Sequence, residues 1–208
     1  TLEGARIFIN TGAAPAIPRI EGLDAVQYLT HASLIELREL PEHLIVLGGG
    51  SIGLDFGQML RSFGSAVTII QSGPRILPRE DEDVTTELQK CLEAEGVRFE
   101  LNGHATKVEG AGKQIQVTFG GQVISGSHLL VATGRSPQTK DLDLDKAGVK
   151  TDERGYIVVN EKLETSAAGI WAIGDVKGGP AFTHISYNDY QIVYGNLYER
   201  KNLSTRTR

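Results

Sequence analysis

His43-Leu44-Ile45-Val46-Leu47-Gly48-Gly49-Gly50-Ser51-Ile52-Gly53 is the stretch whose reading decides the fold. Its first five residues form a continuous apolar run, the pattern of a parallel strand covered on both faces. Glycines follow at once as Gly48-x-Gly50-x-x-Gly53. Leu54, Phe56, Met59, Leu60 and Phe63 then recur at helical spacing up to Gly64, a residue suited to a C-cap. Ala66-Val67-Thr68-Ile69-Ile70 is a second strand. Strand, glycine loop, helix and strand make a βαβ unit in roughly 30 residues.

Each glycine has its own physical reason. Gly48 permits a tight turn, Gly50 removes a side chain so that backbone can approach a pyrophosphate, and Gly53 lets the helix pack closely on the sheet. The helix start offers free N–H groups and a positive dipole end to an anion. Gly48, Gly50, Ser51, Ile52 and Gly53 therefore read as a dinucleotide-binding loop. A turn without a ligand has no need of three glycines at these offsets.

Working outward, Asp83 to Glu95 is a second helix, with Val84, Leu88, Cys91 and Leu92 at helical spacing and Gly96 closing it. Val97 to Leu101 is a third strand. Thr106 to Glu109, Gln114 to Phe119 and Gln122 to Ser125 are three short strands separated by glycine turns, as in a meander. His128 to Ala132 is another buried strand, entering Thr133-Gly134-Arg135. At the start of the chain, Ala5 to Asn10 is a strand running into Thr11-Gly12. Ser33 to Leu40 is a helix with Ser33 as N-cap and Glu36 three residues on, ended by Pro41. Beyond Pro137, Asp141 to Asp145 reads as a loop. Gly155 to Val159 and Gly169 to Ile173 read as strands, and Ile185 to Tyr198 as a final helix.

Composition bounds the function. With 40% hydrophobic and 23% charged residues, the 208-residue chain is ordinary for a globular protein. A net charge of −5 gives no electrostatic reason to expect nucleic acid or an anionic membrane surface. No apolar run approaches the ~20 residues of a membrane helix, and Thr1-Leu2-Glu3-Gly4 has neither signal-peptide nor transit-peptide character. A cytoplasmic chain is expected. One cysteine forms no internal disulfide, the five histidines show no ligand spacing, and no metal site is expected.

Several residues outside the loop have chemical interest. An acid at the end of the second strand favours the free 2′-hydroxyl of NAD, and a nearby arginine favours the 2′-phosphate of NADP. Here Gln71 is neutral, and Arg75 either reaches a 2′-phosphate or faces water. Asp55 either stabilises its helix start or touches the nicotinamide end of a bound dinucleotide. Gly174-Asp175 ends an apolar strand, so the carboxylate either faces a ligand crevice or caps its own turn. Cys91, in an apolar stripe, reads as a small core residue.

Ile9-Asn10-Thr11-Gly12, Gly48 to Asp55, Ala132-Thr133-Gly134-Arg135-Ser136-Pro137 and Ile170-Trp171-Ala172-Ile173-Gly174-Asp175 together resemble the pyridine nucleotide-disulfide oxidoreductases. This is the flavoprotein family of glutathione reductase, dihydrolipoamide dehydrogenase and mercuric reductase. Pro180 to Ser186 and Arg79-Glu80-Asp81 are most similar to the mercuric-reductase-like branch. The resemblance implies an α/β chain: a Rossmann-like NAD(P) domain, with a parallel sheet and a three-stranded antiparallel meander, at residues 41–132. Partial FAD-domain segments flank it at 1–40 and 133–208. It implies that Gly48, Gly50, Gly53 and Asp55 hold NAD(P)H, and that Asp175 of Gly174-Asp175 binds the ribityl chain of FAD. Thr11-Gly12 and Thr133-Gly134 would be the crossings between the two domains. In the family a hydride passes from NAD(P)H to flavin and on to a cysteine pair, and the full-length proteins are homodimers.

Departures qualify that picture. The family's FAD glycine fingerprint, its Cys-x4-Cys pair and its C-terminal dimerisation domain have no counterpart in the sequence. Gln138 stands where asparagine is usual, and Asn188-Asp189 replace a usual glutamate-glycine pair. The chain therefore resembles the middle of a longer flavoprotein. By itself it is expected to be inactive, to hold FAD poorly and to self-associate, or else to be disordered over Thr1 to Pro18 and beyond Gly178. The alternative is a dinucleotide-binding module without turnover.

Overall fold

The computed structural model describes residues 3–207. In chain order its elements are β1 (Ile7–Ile9), β2 (Ala13–Pro15), α1 (His31–Leu34), β3 (His43–Leu47), α2 (Ser51–Ser62), β4 (Ala66–Gln71), α3 (Glu82–Ala94) and β5 (Val97–Leu101). There follow β6 (Ala105–Ala111), β7 (Gln114–Phe119), β8 (Gln122–Gly126), β9 (His128–Val131), β10 (Arg135–Pro137), β11 (Ile170–Ala172) and α4 (Thr183–Tyr198). The chain is α/β, with parallel and antiparallel sheets. It divides into two compact units, one of Pro15–Gly134 and one of Thr1–Ala14 with Arg135–Arg208. Thr1, Leu2 and Arg208, to which expectations about the chain ends extend, lie outside the described residues.

The first unit is built on a four-stranded sheet in the order β5-β4-β3-β9. All its pairings are parallel, with Leu44 opposite Val67 and His128, and Leu47 opposite Ile70 and Val131. Alternation along the strands sends side chains to opposite faces. Leu44, Val46, Val67, Ile69 and Leu130 meet Leu54 and Leu60 of α2 and Leu92 of α3 on one side. Ile45, Leu47, Ile70, Leu129 and Val131 meet Val108, Val117 and Phe119 of the antiparallel β6-β7-β8 meander on the other. This double cover is why β3 has no polar alternation, and each fully buried Leu, Ile or Val contributes roughly 1.5–3 kcal/mol.

The unit extends back to Pro15 because Leu23 and Leu34 are buried in these same two cores. The motif-based divisions at 40/41 and 132/133 thus differ from the compact divisions at 14/15 and 134/135. The helix expected over Ser33–Leu40 lies earlier and is shorter. Thr30 is its N-cap and Ser33 its third residue, each side chain accepting the other's backbone N–H. That reciprocal box fixes the start one turn upstream of the expected cap.

In the other unit β1 pairs with β11 in parallel, Phe8 opposite Trp171, and the two rings stack with centroids 5.5 Å apart. Leu144, Val149, Ile157, Ala172 and Val176 form one apolar cluster, and Leu163, Ile192 and Val193 another. The strand expected over Gly155–Val159 is absent, and only a bridge between Thr151 and Ile157 remains. Asp152 Oδ1 accepts the N–H groups of both Arg154 and Tyr156, so a side chain takes donors that a ladder would use. Beyond Gly178 the described residues form α4, whose Asn196 exchanges two hydrogen bonds with the Leu203 backbone, at 2.9 and 2.7 Å. Cys91 is also not a core residue. The buried face of α3 carries Thr85 and Leu92, which leaves Val84 and Cys91 exposed.

Candidate functional site

The glycine loop joins β3 to α2, at the carboxyl end of a parallel strand. A Cβ at Gly48, whose φ is +109°, would lie 2.5 Å from the Ala132 carbonyl oxygen, and one at Gly53 would lie 2.0 Å from Gly48 O. Both positions are closed by protein backbone. Gly50 is different, since a Cβ there meets nothing within 4 Å. Its missing side chain opens space rather than permitting contact within the fold. Gly50 is also the N-cap of α2 and offers no side-chain acceptor. The first-turn N–H groups, including those of Ser51 and Ile52, are therefore left for an outside acceptor.

Gln71 and Arg75 border this loop. Gln71 Oε1 accepts the Gly49 amide at 2.9 Å, which couples the end of β4 to the loop. Arg75 is half-buried and donates to the Pro78 carbonyl at 3.1 Å. Asp55 is exposed on α2. At the opposite end of β3, His43 Nε2 lies 3.0 Å from Thr68 Oγ1, and burial holds the imidazole pKa below its ordinary value. Arg98 adds to that lowering, while a Ser125 backbone contact and Glu42 oppose it.

The remaining candidates fall in two places. Thr133 Oγ1 donates to the Ala16 carbonyl at 3.0 Å, and the Gly134 carbonyl accepts the Ala16 amide at 2.9 Å, with Gly134 at φ +139°. In the other unit Thr11 and Gln138 clasp one another. Thr11 Oγ1 donates to Gln138 O at 2.8 Å, and Gln138 Nε2 donates to Thr11 O at 2.7 Å. The Gly12 carbonyl accepts the Gln138 amide at 3.0 Å. The glutamine at this position thus ties down the Thr11-Gly12 turn.

Gly174 begins a 3-10 turn, Gly174–Lys177, directly after Ile173 in extended conformation. Its φ is +71°, and a Cβ there would lie 2.8 Å from Asn10 Oδ1. Asp175 does not cap its own turn with its side chain. Its Oδ2 lies 2.6 Å from Arg135 Nη1, in a pair whose side chains are 29% and 22% exposed for Arg135 and Asp175. Arg135 Nη2 donates to Ala13 O at 2.9 Å, while its Nε is buried without a partner. The partly open Asp175 carboxylate, with its charge offset by Arg135, is chemically suited to accept hydrogen bonds from a hydroxyl-bearing ligand. Sequence reasoning misses Arg135 as a site residue, although it stands inside the Thr133-Gly134-Arg135 motif. It also misses Lys177 and Asp189, whose side chains are 6% and 0% exposed and lie 3.2 Å apart. No spacing pattern pointed to them, because the partners are twelve residues apart on different elements. Among the described residues, no His, Cys, Asp and Glu group is arranged to hold a metal ion, and no helix is long and apolar enough to cross a membrane.

Comparison with known proteins agrees with this architecture. Residues 1–189 match the family model described as pyridine nucleotide-disulphide oxidoreductase. The chain is 41% identical, over 208 residues, to the probable pyridine nucleotide-disulfide oxidoreductase RclA of Escherichia coli (strain K12), covering all of this chain and 47% of that protein. It is 40% identical over 203 residues to a mercuric reductase of Streptomyces lividans, covering 96% of this chain and 43% of that one. Among solved structures, the Cu(II) complex of the HOCl-induced flavoprotein disulfide reductase RclA from E. coli matches with a TM-score of 0.96 at 41% identity, over 100% of this chain and 48% of that one. LpdA from Mycobacterium tuberculosis matches with a TM-score of 0.86 at 32% identity, over 96% and 43%. The chain thus spans about half the length of the relatives it matches. With the parallel sheet, the glycine loop and the Gly174-Asp175 turn in place, the chain belongs to the pyridine nucleotide-disulphide oxidoreductase family.

Proposed function

We propose that this chain is the nucleotide-binding portion of an FAD-dependent NAD(P)H oxidoreductase. The observation that carries the reading is the contrast within the glycine loop: Gly48 and Gly53 are closed by backbone, whereas Gly50 faces open space at an uncapped helix start. Residues 41–132 form the NAD(P) part, and 1–40 with 133–208 belong to the FAD part. Gly48, Gly50, Ser51, Ile52 and Gly53 receive the pyrophosphate of NAD(P)H, Gln71 and Arg75 face its ribose, and Asp55 lies toward its nicotinamide. Asp175, held by Arg135, receives the flavin's polyol chain, and Thr11, Gly12 and Gly134 are assigned to cofactor binding as well. Nicotinamide supplies a hydride when bound and flavin accepts one. The chain's own residues bind and orient, and no residue of this chain is assigned a catalytic role.

The neutral Gln71 and the half-buried Arg75 lean toward NADPH over NADH, because neither repels a 2′-phosphate. The full-length protein acts as a cytoplasmic homodimer, and the isolated chain lacks turnover. The decisive experiment is titration of the purified chain with NADPH and NADH, followed by nicotinamide fluorescence. Saturable binding that Gly50→Val abolishes is expected. Binding unchanged by that substitution would remove the loop from the site.

A further inference from the structure

Lys177 and Asp189 form an ion pair shut away from solvent, and one oxygen of that pair holds both ends of the turn carrying Asp175. Asp189 Oδ2 accepts the Gly174 amide at 3.0 Å and lies 3.2 Å from Lys177 Nζ, which is also 3.3 Å from the Gly178 carbonyl. Gly174 begins the turn and Lys177 ends it. Between them Asp175 turns its carboxylate to Arg135. The Gly174–Lys177 turn is therefore pinned at both ends to a single carboxylate on α4.

Stability alone is a weak reason to bury such a pair. Desolvating two charges offsets most of their attraction, and apolar side chains of similar volume serve a core as well or better. An ion pair with a shared acceptor adds direction: it allows one placement of the turn. We propose that Lys177 and Asp189 are positioning residues for Asp175 that set the affinity of the protein for flavin and leave its affinity for NAD(P)H untouched. This inference rests on the reading of Asp175 as a flavin contact.

The test uses the native full-length protein and the double variant K177M/D189N. It removes both charges of the pair together and retains an acceptor for the Gly174 amide. The lysine end of the turn is released. The expected result has three parts. The flavin-free melting temperature stays within a few degrees of the parent. Amide hydrogen exchange at Lys177 and Gly178 rises about tenfold, while exchange in β3 and β4 is unchanged. The dissociation constant for FAD rises about tenfold, while that for NAD(P)H is constant. Exchange at the turn equal to that of the parent overturns the clasp. Faster exchange with unaltered FAD affinity overturns the positioning role. A fall in FAD and NAD(P)H affinity together with the melting temperature overturns it too, in favour of a purely structural pair. Asp175→Asn is the control for the underlying reading. If that variant retains flavin like the parent, the flavin assignment of Asp175 fails on its own account, while the exchange measurement still judges the clasp.

Discussion

Gln71 holds Gly49: the side-chain oxygen at the end of β4 accepts the loop amide at 2.9 Å. The side chain that in this fold class reports on the ribose is thus also a strut of the pyrophosphate loop. Replacement by glutamate keeps an acceptor of the same reach and adds a charge that repels a 2′-phosphate. Gln71→Glu is expected to leave the melting temperature within about 2 °C and to shift the NADH-to-NADPH affinity ratio at least about tenfold toward NADH. Paired fluorescence titrations check it. A loss of binding to both nucleotides would instead show that the neutral amide is needed for the loop.

Glycines of the same motif should separate into two classes. Gly53→Ala drives a Cβ to 2.0 Å from Gly48 O, a backbone atom that has no rotamer to yield. It should destabilise the unit by about 3 kcal/mol or more. Gly50→Ala enters open space and should cost roughly 1 kcal/mol or less, chiefly as a poorer N-cap. Its effect is expected on NAD(P)H affinity. Chemical denaturation alongside nucleotide titration reads both, and similar stability losses for the two variants would contradict the distinction.

Arg135→Met removes the partner of Asp175 and the donor to Ala13 O together. Leaving a partly buried carboxylate unpaired should cost about 1–3 kcal/mol. The double variant R135M/D175N should regain part of that loss. Urea titration of the parent, the two single variants and the double variant measures the coupling, and strictly additive changes would show that the pair contributes nothing.

His43 makes stability depend on pH. Its folded pKa lies below the ordinary value because burial disfavours the imidazolium. The native state therefore binds fewer protons than the unfolded one, and stability rises with pH across the window between the two values. The contribution is fully present above about pH 6.5, the ordinary histidine value, and is lost as pH falls through the lowered one. His43→Gln should flatten the melting-temperature profile between about pH 7.5 and 5.5. A parallel profile for the variant would exclude His43 as the source.

Cys91 is exposed on α3, so it should react with a thiol reagent in the native protein at one equivalent. Cys91→Ser should leave the melting temperature within about 2 °C. A thiol that reacts only after denaturation would return Cys91 to the core.

Most of the fold was legible where one physical signal acted alone. The apolar runs of β3, β4, β5 and β9, the glycine turns of the meander and the Gly48–Gly53 loop all lie within a residue or so of the sequence reading. The failures occurred where local side-chain chemistry competed. Ser33 carries a capping residue's chemistry, but Thr30 three residues earlier completes the reciprocal box. Tyr156, Ile157 and Val158 favour a strand, but Asp152 takes the Tyr156 N–H, and those of Ile157 and Val158 go to the separate carbonyls of Val176 and Lys150. The α3 periodicity was sound, but the stripe was set about one position off, and Cys91 fell on the wrong side. In the site, the loop glycines and Asp175 were visible as motif residues. Arg135, Lys177 and Asp189 were not singled out, because their roles arise from long-range pairing that no local pattern encodes.

Trp171, stacked on Phe8, is the sole tryptophan, and Tyr156, Tyr187, Tyr190, Tyr194 and Tyr198 share its unit, leaving only Tyr28 in the other. The optical signals of the chain are therefore partitioned by nature. Tryptophan emission follows the β1–β11 unit alone, while nicotinamide emission would follow the glycine-loop unit. One sample, watched at two wavelengths during unfolding, can tell whether the two halves melt as one cooperative body or in sequence, without a label on either.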